Sequence, residues 1–161
     1  MNYVLSFSQW METWLPNAWK LRDDFIEAGW ETLFMLGLST LVGGFFGLIL
    51  GIIMTVTGPG GILENRWLYN LLDGLVNIMR SIPFIIMLAL LINVTRGIVG
   101  TTIGPAAACV PIIFSTVPFF ARQVEIALLE VEPGVIEAAQ AMGSSPLEII
   151  GRVYLREGLP A

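Results

Sequence analysis

The sequence predicts an all-α protein, a polytopic bundle of membrane helices, on three observations. Charged residues are scarce, at 13% of 161 against 55% hydrophobic, with a mean hydropathy of +0.77. Soluble domains carry about a quarter charged residues. The charges are also segregated: none falls between Glu31 and Glu64, or between Arg96 and Arg122. Each gap exceeds the roughly 20 apolar residues that cross a bilayer. Finally, charges return together after Phe120, from Arg122 to Glu157, which predicts an aqueous segment behind the apolar part.

Several chemistries are excluded. The net charge of −5 argues against a nucleic-acid partner, which needs a basic surface. There is no histidine, so His-based nucleophilic catalysis and His-ligated metals are ruled out. The single cysteine, Cys109, lies in an apolar run and reads as a small buried hydrophobe. No catalytic residue, metal ligand or cofactor is expected. A cleavable signal peptide is not expected either, because Met1 to Trp14 lacks a basic start and is too polar.

The first expected unit is an interfacial segment, residues 1–30. It holds Trp10, Trp14, Trp19 and Trp30, and tryptophan favours the headgroup region. Asn17 to Trp30 is expected to form a short helix, and residues 1–16 either an interfacial stretch or a loose tail. The second unit, residues 31–121, is expected to carry three spans.

The first span covers about 32–57. Gly43, Gly47 and Gly51 recur at i, i+4 and i+8, a pattern that lets another helix approach closely. Gly58-Pro59-Gly60-Gly61 then stops the helix. The second span covers about 73–94. The uncharged run Ser81 to Thr95 is too short to cross about 30 Å at 1.5 Å per residue, so polar residues upstream must join it. Asp73, Asn77 and Arg80 share one helical face. They read either as a polar wall beside a transport path or as interfacial residues with Arg80 snorkelling. Pro83 is expected to kink this helix.

A turn at Arg96-Gly97 leads to the third expected span, about 98–120, with Pro105, Pro111 and Pro118. Proline frees a carbonyl four residues back, and such backbone is tolerated at membrane depth only where something satisfies it. Ser115 and Thr116 are candidates, which would place them on a partly polar cavity wall. Three spans put the N-terminus and the last segment on opposite sides of the membrane. Basic residues discriminate weakly between the sides: Arg66, Arg122, Arg152 and Arg156 against Lys20, Arg22 and Arg96.

The last unit, 122–161, is expected to be cytoplasmic and to contain two short helices. Pro133 suits the first position of one, Val135, Ile136, Ala138, Ala139 and Met142 make it apolar, and Gly143 suits the residue after its end. Ser145, Pro146 and Glu148 form a capping box for the second, with Leu147, Ile150 and Tyr154 as its apolar positions. Helix, glycine turn and helix is also the outline of a DNA-binding motif, but six acids against two bases from Glu125 onward reject that reading. A docking knuckle, with Ala138 and Ala139 seated in a partner's groove, fits better.

Glu137-Ala138-Ala139, Gly143, Val153 and Leu155 have the spacing of the EAA motif of ABC importer permeases, which the sequence resembles. Nearer still is the methionine-type importer permease. Matching stretches are WETL at Trp30, RSIPFII at Arg80, VGTTIG at Val99, PFFAR at Pro118 and ALLEV with EAAQAMGSSPLEII from Ala127. The resemblance implies a bundle of the ABC importer permease type in a bacterial inner membrane, N-terminus external. It implies docking of a cytoplasmic ATP-binding subunit through Glu137, Ala138, Ala139, Met142, Gly143, Val153 and Leu155. It also implies a homodimer, a substrate-binding lipoprotein outside, and import of a small amino acid, methionine in D or L form. The possible translocation path comprises Asp73, Asn77, Arg80, Ser115 and Thr116. The chain has no phosphate-binding Gly-x-x-x-x-Gly-Lys-Ser/Thr loop, so ATP hydrolysis is expected from a separate subunit.

Two departures stand out. Arg156 occupies the motif's usual proline. Such permeases continue through about two more spans, so the chain is expected to be truncated after the coupling helices. The alternatives are a permease for another amino acid, a non-transporting membrane fragment or structural subunit, and a membrane enzyme using Asp73, Arg80 or a carboxylate pair.

Overall fold

The computed structural model describes residues 20–158. The expectations for Trp10, Trp14 and Trp19 lie outside these. Helix α1 spans Arg22–Thr57. It begins upstream of the expected Thr32, so the stretch that reads as a separate interfacial helix is, from Arg22 on, the start of the span helix. Trp30 is exposed on it. Nothing between Arg22 and Thr57 breaks a helix, and 36 residues reach about 54 Å at 1.5 Å each.

At Gly58 the chain turns into a tight loop. Leu63 N–H returns to the Val56 carbonyl and Asn65 N–H to the Thr57 carbonyl, each at 2.9 Å, which satisfies two of the orphan carbonyls of the helix end. Asn65 then caps α2, Arg66–Ser81, by accepting from Leu68 N–H at 3.1 Å.

The second expected span is broken rather than kinked. Ile82 is extended, as a residue before proline prefers, and α3, Phe84–Leu90, leaves at 105° to α2. Helix α4, Ile92–Val99, comes after Leu91. Arg96-Gly97 lies inside α4, and the turn sits later, where Gly100 and Gly104 take φ of 82° and 103°. Those positive values suit glycine, so α5 starts at Pro105 and not at Ile98. Helix α5, Pro105–Leu129, passes the expected end at Phe120 by more than two turns. Among the described residues two helices, α1 and α5, are long and apolar enough to cross a membrane, or three if the bent α2–α3 pair counts as one span.

The two long helices pack through small residues. Ser39, Gly43, Gly47, Gly51 and Thr55 are buried on α1 at four-residue intervals. A Cβ on Gly43 would lie 2.8 Å from Thr116 Cβ, and one on Gly51 would lie 2.6 Å from the Ala121 carbonyl oxygen. The glycine seam is therefore filled by α5 of the same chain. Thr116 spends its hydroxyl on the Ile112 carbonyl at 2.8 Å, not on the Phe114 carbonyl that Pro118 frees.

Gly51→Val is expected to destabilise the folded chain by roughly 1–3 kcal/mol, the range for overpacking. Gly37→Ala, with open space around the new methyl, is expected to leave it unchanged or slightly more stable. Thermal unfolding in detergent micelles, variant against parent, measures both.

Candidate functional site

The end of the molecule where α1 stops and α5 stops carries a separate small core. Val56 from α1, Leu128 from α5, and Val131, Ala139, Ile149 and Tyr154 beyond it are all buried together. Two short helices sit on this core. Helix α6 is Pro133–Ala141 and α7 is Pro146–Ile149, which runs on through a wide π turn, Ile150–Tyr154, into α8, Leu155–Glu157.

The joint between them follows local rules. Gly143 has φ of 78°, the left-handed conformation that ends helices, and Ser144 N–H returns to the Ala139 carbonyl at 3.1 Å. Ser145 accepts from Glu148 N–H, and the Glu148 carboxylate takes the Ser145 N–H at 2.9 Å. These bonds, with Arg152 nearby, hold the Glu148 carboxyl below its ordinary range. Burial pushes the Tyr154 phenol up.

The paired alanines separate. Ala139 is 6% exposed and faces the core, while Ala138 is exposed. Ala138 shares the outer side of α6 with Val135 and Met142, at i, i+3 and i+7, and Leu147 of α7 is 81% exposed beside the joint. Glu137 and Gly143 are exposed as well, and Glu137 borders a groove with Gln140 and the 58–62 loop. Val153 and Leu155 face inward: Val153 packs on the core, and Leu155 faces Phe120, Val124 and Leu128 of α5. Leu147, Ile150 and Tyr154 do not form one apolar face. The wider π turn, hydrogen-bonded from i to i+5, brings positions five apart toward one side, so Ile149 and Tyr154 are buried in the core while Leu147 is exposed.

A second polar arrangement lies one to two turns above this core, between α2 and α5. Arg122 Nη1 donates to Glu125 Oε2 at 2.6 Å. Its Nη2 donates to Asp73 Oδ1, and to Asn77 Oδ1 at 3.1 Å. Asn77 Nδ2 donates to Asp73 Oδ2 at 3.0 Å, and the Tyr69 hydroxyl donates to Glu125 Oε1 at 3.0 Å. Both oxygens of each carboxylate are therefore occupied. Glu125 is 2% exposed, a place where an unpaired carboxylate is costly. Arg122 and Glu125 belong to a helix, not to an aqueous tail as their composition suggests. The missed signal is their i, i+3 spacing directly after an unbroken helical run.

Arg80 and Ser115 meet elsewhere. With Met79, Ile82, Phe84 and Phe119 they line an open depression of about 350 Å³ at the α2–α3 elbow. Thr116 lies beside Ser115 and Phe84 on the adjoining wall. The structure thus splits the five residues of the expected path between the Arg122 cluster and the elbow.

Comparison with known proteins gives consistent results. Residues 18–161 match the family described as the binding-protein-dependent transport system inner membrane component. The D-methionine transport system permease protein MetI of Yersinia pestis is 53% identical over 135 residues, covering 81% of this chain and 60% of the relative. Its counterpart in Escherichia coli K12 is 48% identical over 145 residues, covering 90% of this chain and 65% of the relative. Among solved structures, an inward-facing conformation of the MetNI methionine ABC transporter superposes with a TM-score of 0.82 at 49% identity, covering 84% of this chain and 62% of that one. The chain spans about three fifths of the length of the relatives it matches.

Glu148 is expected to titrate below the ordinary carboxylate range, and to move up in Ser145→Ala. A depressed carboxyl stabilises the fold at pH above its unfolded value, and that contribution vanishes as pH falls through the depressed one. Carboxyl-selective NMR titration measures the shift. Amide exchange in α7 is expected to speed about fivefold in Ser145→Ala, the factor corresponding to ~1 kcal/mol of lost capping.

Proposed function

We infer the role of this chain from the family to which it belongs, the binding-protein-dependent transport system inner membrane components. The chain serves as the membrane-spanning permease of an ATP-driven importer of methionine. The observation that carries this reading is the exposed knuckle of Val135, Ala138, Met142 and Leu147. Met142 and Leu147 are large, apolar and exposed on either side of the Gly143 joint, outside the buried core. Apolar patches of that kind mark partner surfaces. Below a membrane, the partner is the ATP-binding subunit.

In this reading two copies of the chain pair in a bacterial inner membrane, each with one ATPase docked on α6 and α7. The N-terminus lies outside, and a binding lipoprotein delivers substrate from there. The permease hydrolyses nothing itself. ATP binding draws the ATPases together, and the knuckles carry that movement into the spans as a rigid-body change. Glu137, Ala138, Met142 and Gly143 make or shape the contact. Ala139, Val153 and Leu155 act one layer behind, by seating the knuckle on the spans. The elbow depression with Arg80, Ser115 and Thr116 borders the substrate path. The depression sets Arg80 and Ser115 beside Met79, Ile82, Phe84 and Phe119, a mixed lining that suits an amino acid with a charged backbone end and an apolar side chain.

Met142→Asp and Leu147→Asp are expected to lower co-purification of the ATPase by at least about tenfold, the effect of ~1.4 kcal/mol or more at a buried anchor. Thermal stability should be nearly unchanged, since both side chains are exposed. Labelled methionine uptake should fall in parallel. Full ATPase binding by both variants would remove the docking surface. Stronger competition by a polar amino acid than by methionine would replace the substrate.

A further inference from the structure

We propose that Arg122 is a positioning residue for coupling: its bonds to Asp73, Asn77 and Glu125 clamp α2 to α5, so that the α2–α3 elbow moves with the coupling segment. The proposal rests on the transport reading above and adds to it the route by which the movement reaches the elbow.

Apart from the Arg122 bonds, one hydrogen bond, from the Tyr69 hydroxyl to Glu125, and little packing hold α2 to α5. Only Val76 of its residues is buried. Its outer apolar side, with Trp67, Leu71, Leu75 and Ile78, is exposed. Arg66, Asn70, Asp73, Asn77, Arg80 and Ser81 form a third, polar stripe within about 60° of one line on a helical wheel of 100° per residue. Helix α1 is different, since it meets α5 along five buried small residues. Helix α2 therefore depends on its polar tie. Among the described residues, Arg122 and Asp73 form the one ion pair that joins two separate helices.

Arg122 lies about two turns before Leu128 on α5, and Leu128 is part of the core under α6 and α7. A displacement of the knuckle acts on that core, hence on the end of α5. Through Arg122 it acts on α2 at Asp73 and Asn77, on the helix that ends at the 105° elbow. One planar fork reaches two carboxylates and an amide oxygen at once, and a lysine ammonium cannot reproduce that set.

The test uses the assembled transporter in proteoliposomes, with ATP hydrolysis and methionine uptake measured together. Arg122→Lys and the uncharged triple variant Asp73→Asn, Arg122→Gln, Glu125→Gln are expected to keep ATP hydrolysis and to lower methionine imported per ATP by about tenfold or more. A purely structural role would lower both activities in proportion and leave the ratio unchanged, which would overturn the proposal. Because a variant can fail to assemble, a second measurement leaves the cluster intact. Spin labels on Leu71 of α2 and Ile126 of α5, both exposed, are expected to hold one distance with and without ATP. A change of several ångströms between the two states would show that α2 and α5 move apart, and would also overturn it. Absence of methionine uptake by the parent transporter would count against the transport reading alone, since the label distances test the clamp without reference to substrate.

Discussion

The close contact of α1 with α5 is the constraint on which the other features depend. Five small residues at four-residue intervals bring the helices to a distance at which a single added methyl meets backbone. In lipid there is no hydrophobic gain from burying one apolar helix against another. Association rests on packing, and packing is best where backbones approach. The seam turns two helices into one pillar. Because α1 and α5 end together, the pillar offers Val56 and Leu128 side by side, and this common end becomes the seat for α6 and α7. The 58–65 loop fits the same logic. A Cβ on Gly61 would lie 2.4 Å from the Val56 carbonyl oxygen, so the chain can turn tightly enough to return α2 beside the pillar only with glycine there.

Charge is placed where geometry compensates it. A carboxylate with 2% exposure is unfavourable unless its oxygens are filled, and those of Glu125 are filled by Tyr69 and Arg122. Asp73 and Asn77 accept from the second guanidinium nitrogen, and Asn77 also fills the other Asp73 oxygen. A half-satisfied set would be worse than an apolar contact. The cluster thus fixes the register between α2 and α5, which the thin apolar packing of α2 cannot do. Its cost in desolvation is offset by specificity, the use for which buried ionic groups are best attested.

What is legible in the sequence divides along local and non-local lines. The cap at Ser145, the proline starts at Pro133 and Pro146 and the positive φ at Gly143 are set by residues within four positions of one another, so inspection of the chain recovers them. The glycine seam is legible as a site of close approach, but its partner is not, because spacing says nothing about which helix fills it. Arg122 and Glu125 read as aqueous since charge is normally solvated; only the fold brings Tyr69 and Asp73 to them. The break at Pro83 reads as a mere kink for a related reason. Proline loses one donor in any helix, but whether the chain bends or stops depends on what packs beside it. Leu147 reads as an inward residue because a 3.6-residue period cannot anticipate a π turn.

That π turn bears on how the knuckle can transmit force. In a regular helix Ile149 and Tyr154 would lie about 140° apart, at 100° per residue, and only one could enter the core. The wider turn lets both enter, so the second short helix is anchored at two points along its length. Helix α6 adds Ala139 to the same core. The knuckle is consequently not a flexible appendage whose motion would be absorbed at its hinge. Its outer face is exposed and its inner face is shared with the ends of both pillar helices. Any partner that displaces Met142 and Leu147 must displace the core as well, and with it the end of the helix that carries Arg122.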